Sequence, residues 1–128
     1  MQDRPTAVEL LEVVAQFLER EVAPASTGSR RFQALVAANV MRIVTREIQH
    51  EEAHLGEEVS TLAALLERPH PASGTFEELR RSAQSLNQEL CERIRAGELD
   101  SESARARTVE VLRRIVQNKL AIANPRYL

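Results

Sequence analysis

The chain has no tryptophan, one cysteine, four glycines and only 3% aromatic residues among its 128 positions. With Cys91 alone, no intramolecular disulfide can form, and a reducing compartment is expected. Four scattered glycines supply no glycine-rich phosphate loop. Three phenylalanines and one tyrosine supply no stacking platform for single-stranded nucleic acid. The formal net charge of −2 exerts no overall pull on nucleic acid or an anionic membrane. The arginine pairs Arg30–Arg31, Arg80–Arg81 and Arg113–Arg114 are interleaved with glutamates and read as solvated helix surface. No apolar run approaches the roughly 20 residues a membrane span needs. The opening MQDRPTAVELLE lacks the basic start and apolar run of a secretory signal. The expectation is a cytoplasmic protein that binds neither membrane nor nucleic acid.

What is present is helical periodicity. Hydrophobic residues at 43% and charged residues at 28% are ordinary for a folded domain, and this length predicts one domain, residues 1–128. From Arg31 to Gln49, the residues Phe32, Leu35, Val36, Val40, Ile43 and Val44 fall on one arc at 100° per residue. The stretch reads as the central helix. Asn39 lies inside the same arc, where an unpartnered buried carboxamide would cost about 1–3 kcal/mol. Asn39 is therefore expected to be buried and bonded to a neighbouring segment.

Around this helix the chain punctuates itself into about five. The first runs from Thr6 to Val22, opened by the capping box Thr6-Ala-Val-Glu9, with Ala7, Leu10, Leu11, Val14, Phe17 and Leu18 as its core face. Gly56 is a candidate break between the second helix and a third bearing Val59, Leu62 and Leu66, one continuous helix being the alternative. Pro69-His70-Pro71-Ala72-Ser73-Gly74 is a surface loop. Thr75-Phe-Glu-Glu78 caps the fourth helix, whose seam is Phe76, Leu79, Ala83, Leu86 and Leu90, with Gly97 as its C-terminal cap. Asp100, Ser101 or Ser103 starts the last, lined by Val109, Leu112, Ile115, Val116, Leu120 and Ile122 until Asn124-Pro125. Phe17, Phe32 and Phe76 are assigned to the core. The predicted fold is an all-α, single-domain bundle of about five helices, mostly antiparallel, with no sheet.

The sharpest chemical pattern is His50-Glu51-Glu52-Ala53-His54, a literal H-E-x-x-H. Two histidines four apart share a helix face and can ligate one zinc, with Glu51 placed to activate its water. The context argues against that use. The motif is placed near a helix end among Gln49, Glu52 and Glu57, and no strand is predicted to hold an extended substrate. Glu57, Glu58 and His70, the available third ligands, stand at no diagnostic spacing. A polar helix terminus is preferred, with no metal, cofactor or catalytic residue assigned. Cys91, beside Leu90, reads as a small partly buried hydrophobe. Asn87 and Asn118 read as packing residues at the core edge.

The two ends are short and rich in specific side chains: Asp3 and Arg4 at one, Asn124, Arg126 and Tyr127 at the other. Four segments, QDRPTAVELLEVVAQFLEREV, FQALVAANVMRIVTREI, LNQELCERIRAGELD and LAIANPRYL, together resemble a family of small bacterial all-helical proteins. Members of that family accompany kinases of the aminoglycoside-phosphotransferase fold and acyl-CoA dehydrogenases. The version in levulinate catabolism is the accessory subunit of a 4-hydroxyacyl-CoA kinase. The resemblance implies a non-catalytic partner subunit of such a kinase, acting through protein–protein contact. A bundle without a phosphate loop or a magnesium-binding acid pair has no means of phosphoryl transfer of its own. Asp3, Arg4, Asn39, Asn124, Arg126 and Tyr127 are the candidate partner-binding or structural residues. The alternative is a self-associating helical bundle, a homodimer formed through the wide face of the first helix.

Overall fold

A glycine inside a helix costs only about 1 kcal/mol relative to alanine, too little to end one that packing holds. The computed structural model, which describes residues 3–70 and 74–128, accordingly carries one continuous helix through Gly56, the alternative to a break there. The order is α1 (Ala7–Phe17), a π-helical turn (Leu18–Val22), α2 (Gly28–Leu65), α3 (Phe76–Arg95), α4 (Glu102–Ala123) and a 3-10 turn (Pro125–Tyr127). There are thus four α-helices rather than five, with no strand among the described residues. Gln2, and Pro71, Ala72 and Ser73 of the expected loop, lie outside the described residues. The chain divides into two compact units, Met1–His50 and Glu51–Leu128.

In the first unit the capping box at Thr6 forms as its spacing predicts. The Glu9 amide donates to Thr6 Oγ1 at 3.2 Å, and the Thr6 amide donates to Glu9 Oε2 at 2.7 Å. After the turn, Arg42 on α2 folds back onto Glu19, with Glu12 at 3.8 Å. That contact identifies the sides of the two helices that meet. Ala15 shares the Glu12–Glu19 side of α1, and Ala34 and Ala38 share the Arg42 side of α2. Among the described residues, Ala15, Ala23, Ala34 and Ala38 are the buried hydrophobic ones of this unit. Small side chains let the backbones approach closely, and the large ones point elsewhere.

This reverses the expected core. Leu10, Val13, Val14 and Phe17 form an exposed stripe on α1, with Phe17 57% exposed. Phe32, Leu35, Val36 and Val40 form another on α2, with Phe32 68% exposed. Ile43 and Val44 are half-buried, and Asn39 is exposed in the middle of the α2 stripe, so its expected burial does not hold. A hydrophobic arc shows which residues act together; it does not show what covers them.

The second unit is a three-helix assembly around Val59, Leu62, Ala63 and Leu66 of α2, Ala83, Leu86 and Leu90 of α3, and Ile115 of α4. Ala83, Leu86 and Leu90 of the α3 seam are buried as their 3-4 spacing predicts, while Leu79 and, at the head, Phe76 under the Arg80 guanidinium are half-buried. On α4 the buried residues are Ala104, Thr108 and Ile115; Val109 and Val116, expected inside, are about half exposed. Cys91 is also exposed, because it stands one residue, or 100°, past the seam residue Leu90. Three cross-links show the direction of packing: Arg80 to Glu51, Asn87 to Glu58, and Arg93 to the Leu66 carbonyl. The sequence offset is nearly constant, so α2 and α3 run parallel here, against the mostly antiparallel expectation.

Two helix ends use the same geometry with different residues. At α3, Gly97 takes φ +77° and the Glu98 amide donates to the Arg93 carbonyl. At α2, Glu67 takes φ 55° and the Arg68 amide donates to the Ala63 carbonyl. A non-glycine residue in the left-handed region is strained by about 1–2 kcal/mol. Glu67→Gly should therefore raise stability by about 1 kcal/mol in urea titration. Leu62 is fully buried at the centre of the core. Leu62→Ala should cost about 2–5 kcal/mol in the same measurement.

Candidate functional site

Two adjacent glutamates on α2 stand beside the core of the second unit. The seam Val59–Leu62–Leu66 faces inward, and the residues just before it, Glu57 and Glu58, fall on its flanks. Glu58 is 7% exposed. Its Oε1 accepts from Asn87 Nδ2 at 2.6 Å and lies 3.5 Å from Lys119 Nζ. Asn87 Nδ2 also donates to the Ala83 carbonyl at 2.9 Å, which fixes the amide on its own helix. Glu57 accepts from Arg114 Nε and from Asn118 Nδ2, each at 2.8 Å.

Each carboxylate thus receives one cation and one carboxamide, and α3 and α4 both grip α2 through this pair. The Arg114 hydrogen bond, aided by Asn118, holds the Glu57 carboxyl below its ordinary value of 4.5. Arg68 and then Arg93 do the same to Glu89. These groups lock helix positions through charge-assisted hydrogen bonds. Removing one partner of the Glu58 set would leave a largely buried carboxylate short of donors. The chemistry is that of a clamp.

The H-E-x-x-H residues do not stand at a helix end. His50 and His54 lie on α2, which continues to Leu65. His50 is exposed and His54 half-buried. Glu51 Oε1 accepts from Arg80 Nη2 at 3.1 Å. Glu57 and Glu58, one turn after His54, are engaged in the clamp, and His70 is on the surface. Among the described residues, no group of three or more His, Cys, Asp or Glu is arranged to hold a metal ion.

The candidate partner-binding residues are all exposed. Asp3, Arg4 and Asn39 belong to the first unit, and Asn124, Arg126 and Tyr127 to the second. Arg4 is drawn to Glu9 at 2.6 Å and so reinforces the α1 capping box. Asn124 is the residue on which α4 ends, its amide donating to the Leu120 carbonyl at 2.7 Å. Arg126 and Tyr127 follow in the 3-10 turn, with Tyr127 77% exposed. A shallow open depression of about 520 Å³ lies along α4, lined by Asp100, Arg105, Glu110 and Arg113 among others. Four of its charges pair with one another, Arg105 with Asp100 and Arg113 with Glu110.

Sequence reasoning missed two features. One is the exposure of both apolar stripes in the first unit. The other is the clamp: Asn87 and Asn118 were assigned to packing, and that packing takes the form of hydrogen bonds to Glu58 and Glu57. No helix among the described residues is long and apolar enough to cross a membrane.

Because Glu57 titrates below 4.5 when folded, its contribution to stability is present above that value and lost as pH falls through the depressed one. Thermal melts from about pH 5 down to about pH 3 should fall less steeply for Arg114→Gln than for the unaltered protein, because the variant lacks the main cause of the depression.

No curated protein and no solved structure matches the chain. One family model does, described as a domain of unknown function, DUF6285, and it covers residues 24–127, from just before α2 to the 3-10 turn. With most of its length inside that match and α1 and the π-helical turn preceding it, the chain belongs to the DUF6285 family.

Proposed function

We propose that this chain is a non-catalytic partner subunit of a phosphotransferase-like kinase acting on hydroxyacyl-CoA, working through protein–protein contact. The partner's identity rests on the likeness of four segments of the chain to the helical proteins that accompany such kinases. The mode of action rests on one structural observation: α1 carries Leu10, Val13, Val14 and Phe17 on the side away from its alanine-packed contact. Scattered exposed leucines are ordinary; four large apolar residues at i, i+3, i+4 and i+7 make a stripe shaped for another helix or a groove.

The ionisable groups near the core support the same reading. Glu51, Glu57, Glu58 and Glu89 are each held by arginine, lysine or asparagine of this chain. Engaged in this way, they serve architecture, and the reaction belongs to the partner. The exposed Arg126 and Tyr127 add a directional and an aromatic contact at the surface of the second unit.

Co-expression with a kinase of the aminoglycoside-phosphotransferase fold from the same organism should yield a complex that survives affinity capture on the kinase. Phe17→Asp, on the exposed stripe, should lower the captured fraction at least tenfold with the helical circular-dichroism signal retained. Full kinase activity without this chain, together with no detectable complex, would overturn the reading.

A further inference from the structure

We draw no further inference here: the strongest candidate, the exposed apolar stripe of α2 formed by Phe32, Leu35, Val36 and Val40 around Asn39, carries nothing because nothing in the structure shows what covers it.

Discussion

The second unit depends on one helix having two kinds of neighbour on adjacent positions. Val59, Leu62 and Leu66 of α2 give the apolar ridge on which α3 and α4 pack, and Glu57 and Glu58 stand beside it within reach of both. The ridge supplies the driving force, which is non-directional and would tolerate helices sliding by a turn. The glutamates remove that freedom. Glu58 meets Asn87 of α3 and Lys119 of α4, and Glu57 meets Arg114 and Asn118 of α4. A slip of one turn, about 5.4 Å, would strand a largely buried carboxylate without its donors. Parallel packing of α3 on α2, which hydrophobic spacing leaves open, is held the same way by Arg80 on Glu51 and Arg93 on the Leu66 carbonyl.

The first unit is built on the opposite logic. Its buried side chains are alanines, and the link between its helices is the arginine Arg42 set against Glu12 and Glu19. Alanine contacts bury little apolar area, and much of this unit's hydrophobic surface is left facing outward. Among the described residues fourteen large hydrophobic side chains are exposed, and eight of them are the α1 and α2 stripes. A protein of this length could have covered them with its own helices. That they stay outside, in two ordered stripes, is why the proposed function is one of contact with another chain.

Features that depend on a few consecutive residues were legible without coordinates. The capping boxes at Thr6–Glu9 and Thr75–Glu78 satisfy backbone donors three residues away, and the αL turn at Gly97 needs only glycine's missing Cβ. The α3 seam was legible because its apolar residues are few and strictly spaced. The end of α2 was not, since Glu67 carries no mark of the left-handed conformation it adopts. Nor was the exposure of Phe17 and Phe32, because aromatic residues at helical spacing look alike whether their own chain or another one covers them.

What the sequence by itself determined is local: that the chain is helical, where most helices start and stop, and which residues share a stripe. Hydrogen bonds between near neighbours and a 3.6-residue period decide these things, and both can be read along the chain. Tertiary structure decided that α2 is continuous, that α3 lies parallel to it, that Glu57 and Glu58 form a clamp, and that Asn39 faces solvent on an apolar stripe. Each of these turns on which distant segment arrives at a given face. That choice is settled by the packing of whole surfaces and the pairing of charges far apart in sequence, neither of which leaves a signature in any short run of residues.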